Sequence, residues 1–123
     1  MLRGAALEAA ADYANEQLRR GGGYDHNFVL SGEGYRPVAT LCSPLTRIRV
    51  TCCTDQPGLQ LYTANDLTAR TDKYGNTLAE GSGICLETQH FANAVNTPAF
   101  PSVVLKKDHP FHTTTAYRFD SVR

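Results

Sequence analysis

Three short stretches of alternating apolar and polar residues each carry one side chain able to move a proton or direct a hydrogen bond. "YDHNFVL" holds Asp25, "LQLYT" holds Gln60 and "ICLETQ" holds Glu87. Side chains alternate faces along a strand. Asp25, Asn27 and Val29 therefore share one face, and His26, Phe28 and Leu30 the other. Gln60 and Tyr62 oppose Leu59, Leu61 and Thr63, while Cys85, Glu87 and Gln89 oppose Ile84, Leu86 and Thr88. Carboxylates and amides lining a cleft accept and donate hydrogen bonds in fixed directions, which suits a neutral polyol such as a sugar. A carboxylate can also act as a general base. Antiparallel sheets routinely turn such residues to water as well. Alternation alone satisfies both placements and, position by position, favours the solvated face.

Other reactive residues offer less. His26 points away from Asp25 in a regular strand, so the pair cannot serve one pocket and His26 reads as a core or supporting histidine. His109 and His112, in "DHPFH", sit in a turn near the end without an obvious third metal ligand. Ser31 and Ser43 lack a G-x-S-x-G context. "GGGYDH" is followed by no helix, so its glycines are not a phosphate cradle. Cys42, Cys52, Cys53 and Cys85 form no C-x-x-C pair, which argues against zinc. They are expected to be free buried thiols in a reducing cytosol.

A chain of 123 residues, 41% of them hydrophobic, is enough for one folded domain with a modest core. Twelve Lys and Arg balance twelve Asp and Glu, which leaves no electrostatic footprint for nucleic acid or an acidic membrane. No apolar stretch approaches the roughly 20 residues of a membrane span. The opening "MLRGAALEAAAD" lacks the apolar centre of a secretory leader. A cytoplasmic protein that binds neither nucleic acid nor membrane is expected.

These residues need elements to hold them. Residues 5–20 have helix-favouring composition, with Leu7, Ala10, Ala11, Ala14 and Leu18 at helical spacing, Arg19 and Arg20 in the last turn and three glycines as a stop. Short β-like runs follow at 24–31, 37–44, 45–54, 59–63, 84–89, 102–107 and 112–119, with a turn at 55–58 and a long polar loop over 64–83. The pattern predicts an all-β antiparallel sandwich over 22–123, preceded by a helical segment over 1–21.

The strings "GGYDHNFVL", "QPGLQLYTAN", "GICLETQHFANAVNTPAFPSVVL" and "TTTAYRF" lie in the order and spacing of the aldose 1-epimerases, the galactose mutarotases. The resemblance spans about residues 22–119 and rests on several motifs in sequence. It implies a β-sandwich of the galactose-mutarotase-like kind, interconverting the α and β anomers of free hexoses such as galactose and glucose without metal or organic cofactor. It further implies that Glu87 is the general base at the anomeric hydroxyl, that Asp25 binds sugar hydroxyls and that Gln60 lines the sugar site. Ala92-Asn93-Ala94 departs from the family's usual Pro-Asp-Ala, a local packing or turn variation. Family chains are substantially longer. Only their C-terminal part is matched, and the motif for the acid histidine, of the "NHSYFNL" kind, does not occur here. The resemblance thus implies a truncated form with an incomplete sandwich, whose unpaired sheet edges favour self-association. Two alternatives stand beside it: a non-catalytic carbohydrate-binding module, or a structural remnant that pairs with another chain. The Leu7/Ala10/Ala11/Ala14/Leu18 stripe is expected to pack on the sandwich. Hydrogen exchange should find these amides protected, and free exchange would make the helix a loose extension.

Overall fold

In a computed structural model, residues 15–122 are described. A short helix α1 (Glu16–Gly21) leads into eight strands: β1 (Asp25–Val29), β2 (Arg36–Cys42), β3 (Ile48–Thr54), β4 (Gly58–Tyr62), β5 (Arg70–Thr71), β6 (Thr77–Leu78), β7 (Cys85–Gln89) and β8 (Thr115–Ser121). Two three-stranded sheets, ordered β1-β4-β7 and β2-β3-β8, carry the fold, and β5-β6 form a small hairpin. Every pairing is antiparallel. The all-β, antiparallel expectation holds.

The chain shuttles between the sheets. β1 crosses to β2 through a loop that Arg36 fastens, its Nε donating to the Ser31 carbonyl and its Nη1 to the Gly34 carbonyl. β3 returns to β4 through residues 55–57. Inner faces meet where Leu59, Leu61 and Leu86 of one sheet bury against Ala39 and Cys52 of the other, with Tyr24, Phe28 and Leu30 packed around them. The first sheet has five-residue strands and the second seven-residue strands. The shorter sheet cannot cover the longer one. On the inner face of β3 and β8, Ile48 is 48% and Phe119 70% exposed.

Helix α1 begins at an Asn15 N-cap, whose side chain accepts from the Gln17 amide. It ends at Gly22, which takes a left-handed conformation (φ 63°) while the Gly23 amide reaches back to the Leu18 carbonyl. Leu18 is buried. Leu7, Ala10, Ala11 and Ala14 of the predicted stripe lie outside the described residues.

The structure corrects several boundaries. Residues 45–47 are turn, not strand: the Arg47 amide bonds the Ser43 carbonyl, the Thr46 amide bonds Ser43 Oγ, and Arg47 has φ 57°. "SVVLKK" forms no strand, because β-branched composition cannot replace a hydrogen-bonding neighbour. Val104 and Leu105 are exposed there, and only one isolated bridge, Lys106 to His109, forms. The long loop contains the β5-β6 hairpin, whose turn Asp72 organises by accepting from the Tyr74 and Asn76 amides. Cys52 and Cys53 are buried free thiols, but Cys42 and Cys85 are exposed, since each sits at the end of an edge strand. At the departure from the family pattern, Asn93 adopts φ 59° ahead of a 3-10 turn, a conformation asparagine tolerates.

Truncating Leu59, which is 1% exposed, removes the centre of this core. Leu59→Ala should cost about 2–5 kcal/mol in urea-monitored unfolding. The approach to β8 depends on Asp55, whose carboxylate accepts from the Thr113 hydroxyl and the Thr114 amide. Those bonds hold the Asp55 carboxyl below the usual carboxylate range. Its contribution to stability is therefore complete above the unfolded carboxyl's pKa and is lost as pH falls through the depressed folded value. Asp55→Asn should flatten the acid limb of the stability–pH curve while leaving its neutral region sloping as before.

Candidate functional site

The outer face of the β1-β4-β7 sheet is built by register. Asn27 stands opposite Gln60, and Gln60 opposite Glu87, in one row across all three strands. Asp25, Tyr62 and Cys85 form the next row. Directly opposed side chains have Cβ atoms about 4.5–5.5 Å apart, and diagonal neighbours remain within reach of long side chains. Gln60 uses that diagonal: its Nε2 donates to Asp25 Oδ1 at 2.6 Å. Asp25 and Glu87 are exposed and Gln60 is half-buried between them. The structure thus brings Asp25, Gln60 and Glu87 together on one open face.

His26 falls on the opposite face. Its Nδ1 accepts from the Asp25 amide at 2.9 Å, and its ring stands edge-on to Tyr24. It supports the strand that carries Asp25 and does not join the polar row.

Two glycines let this face form. A Cβ on Gly58 would fall 2.7 Å from Asn27 Oδ1 and 3.0 Å from the Gln89 carbonyl, so the row closes over a bare backbone. A Cβ on Gly23 would fall 2.4 Å from Asn65 Oδ1, and Gly23 has φ 149°. Asn65 is the fastener between α1 and β1: its Nδ2 donates to the Gly21 and Tyr24 carbonyls, and its Oδ1 accepts from Thr63 Oγ1. Thr63 in turn bonds the Tyr24 amide, fixing the entry to β1 one residue before Asp25. Face alternation already implies Asn27 and Tyr62 beside the polar row. The roles of Asn65 and Gly23 have no sequence signal, because they arise between segments some 40 positions apart.

Chemically, the face offers an exposed carboxylate at Glu87 and a hydrogen-bonded carboxylate–amide pair at Asp25 and Gln60. That arrangement can accept a proton at one end and orient hydroxyls at the other. Among the described residues no group of three or more His, Cys, Asp or Glu side chains is placed to hold a metal ion. An apolar cleft of about 470 Å³ lies on the other side of β1, lined by Phe28, Leu30, Val38, Ala39, Thr40 and Leu59. Its lining lacks charged groups and reaches from core residues such as Leu59 to the exposed Val29 and Ser31. Among the described residues no helix is long and apolar enough to cross a membrane.

Comparison with known proteins points the same way as the motifs. The family model for aldose 1-epimerase matches residues 6–118. Human galactose mutarotase is 38% identical over 99 residues, covering 79% of this chain and 29% of its own length. Aldose 1-epimerase of Haemophilus influenzae is 31% identical over the same length. The Escherichia coli aldose 1-epimerase is 27% identical over 121 residues, covering 95% of this chain and 35% of its own length. The chain spans about a third or less of the length of these relatives.

Gly58→Ala should destabilise the protein by about 1–3 kcal/mol, the usual cost of overpacking. Adding Asn27→Ala should recover part of that loss, because the first contact the new methyl meets is gone. Urea unfolding of the two single variants and the double variant checks the coupling, and strict additivity would contradict the packing described.

Proposed function

We propose, since the chain belongs to the aldose 1-epimerase family, that the outer face of its β1-β4-β7 sheet is the base side of a site that interconverts the anomers of free aldohexoses such as galactose and glucose. The observation that carries this reading is the row itself: Glu87 exposed beside Gln60, with Gln60 bonded to Asp25. In it, Glu87 takes the proton from the anomeric hydroxyl. Electrons from that O–H bond form the carbonyl, the bond from the anomeric carbon to the ring oxygen breaks, and an acid protonates the ring oxygen. Rotation of the carbonyl end and reclosure in the reverse sense give the other anomer. Asp25 and Gln60 act before this step, accepting and donating to ring hydroxyls so that the anomeric centre lies against Glu87. Their mutual hydrogen bond holds both rotamers before the sugar arrives, which lowers the ordering cost of binding.

The reading requires an acid opposite Glu87. His26 lies on the other face of β1, and none of His90, His109 or His112 stands in the family's acid motif. The acid is proposed to belong to the part of the family fold that these 123 residues do not span. A cytoplasmic location, and residues 1–21 as a helical segment distinct from the sandwich part over 22–123, belong to the same proposal. A second reading, a piece that pairs with another polypeptide, is favoured by one observation: Ile48 and Phe119 lie exposed on an inner sheet face.

The test is the rate of optical-rotation change of fresh α-D-galactose. The 123-residue chain alone should give little acceleration, because acid and base groups each typically contribute about 10²–10⁴-fold. Fusion to the preceding segment of a relative should restore it. In that fusion Glu87→Gln should remove most of the rate, since an amide cannot take the proton. Asp25→Asn should chiefly raise KM, losing charge-assisted bonds worth roughly 1.5–3 kcal/mol. A fusion that turns over but is indifferent to Glu87→Gln would refute the assignment of the base.

A further inference from the structure

Among the described residues, strand β7 carries Glu87 at the edge of its sheet and pairs with β4 alone. An edge strand with one partner is the first part of a sheet to open. Here the opposing sheet intervenes. On β8, Tyr117 turns its hydroxyl inward and donates to the carbonyl of Leu86, the residue before Glu87. Thr115, two positions earlier on the same face, shares a hydrogen bond with the hydroxyl of Thr88, the residue after Glu87. Thr115 is itself anchored: its hydroxyl also bonds Thr54 Oγ1 at 3.1 Å, and Thr54 is fully buried on β3. The chain of contacts therefore runs from the buried centre of one sheet to both flanks of Glu87 on the other. Burial, with the nearby Cys52 and Glu87 as lesser causes, pushes the Tyr117 phenol above its ordinary value. It stays protonated and able to donate across the range in which a carboxylate base works.

We propose that Tyr117, Thr115 and Thr88 are positioning residues for Glu87, a clamp from β8 that fixes the backbone on both sides of the base so that its carboxylate keeps one orientation beside Gln60. This rests on the reading of Glu87 as the base. The clamp leaves the outer face untouched: its atoms lie on the inner side of β7, and the only group it orients is one it does not contact through a side chain. A sheet pair alone fixes which face Glu87 takes. The clamp fixes how far β7 can twist or lift away from β4, and hence where the carboxylate points.

The experiment uses the full 123-residue chain. Three-bond couplings across the Glu87 χ1 angle report its rotamer directly, and amide exchange reports opening of β7. The wild type should show one dominant rotamer. Tyr117→Phe and Thr88→Val should each average the couplings and speed exchange at the Glu87 amide, which the register pairs with Gln60, by about two- to tenfold, the range of one typical hydrogen bond, with β1 amides unchanged. Thr88→Ser keeps the hydroxyl and should behave as wild type. Averaged couplings in the wild type, couplings unmoved in both variants, or Thr88→Ser as loose as Thr88→Val would each overturn the clamp. A galactose titration by NMR runs in parallel. Glu87 held in the wild type and loosened in the variants supports the clamp even where no galactose binds, and that pairing of results counts against the sugar-site reading alone.

Discussion

Strand β4 is hydrogen-bonded on both sides, to β1 from Asp25 through Val29 and to β7 from Cys85 through Gln89, and each polar side chain of the candidate site takes its place from that double pairing. A slip of one residue in either ladder would turn a whole strand over. Leu59 and Leu61 would then face water, and Gln60 would enter the core. The buried contacts of Leu59, Leu61 and Leu86 therefore do more than stabilise the sandwich. They are the reason Gln60 stands between Asn27 and Glu87. The energetics of the inner face and the geometry of the outer face are one constraint seen from two sides.

Around this constraint the remaining polar bonds divide into two groups. One ties the start of β1: Asn65 and Thr63 fasten the turn after α1, and Gly23 leaves the space that Asn65 needs. The other ties the edge at β7: the Thr54–Thr115–Thr88 chain and the Tyr117 hydroxyl join it to the second sheet. Asp25 and Glu87 sit beside these two anchorages, at opposite edges of the sheet, and Gln60 lies in the strand between. Carboxylates near solvent lose rotamer entropy when they are ordered. Their backbone anchorage lies on the inner and terminal sides of the strands, which leaves the outer face accessible.

The sandwich is unequal. Its second sheet is longer than its first, and the uncovered end carries Ile48 and Phe119. Apolar side chains on an inner sheet face are ordinarily covered by a second layer. This chain spans less than a third of the length of the human relative.

By itself the sequence determined the class of fold and the faces of the strands that carry Asp25, Gln60 and Glu87. Alternation with period two is a local property, and a strand that misplaced its apolar face would have to expose Leu59 or Leu61. The same local reasoning failed for "SVVLKK" and for residues 45–47, where composition favours a strand but no neighbour or no extended backbone is available. It also placed Cys42 and Cys85 in the interior, since thiols usually bury, and could not tell that both lie at strand ends on sheet edges. Tertiary structure alone decided which strands are neighbours. From that followed the Asp25–Gln60 bond across 35 positions, the Gly58 backbone beneath Asn27 and the reach of Tyr117 to the strand of Glu87. Strand order is a property of how two sheets close over a shared core. No residue encodes it singly, so the face of each strand was legible and its partner was not.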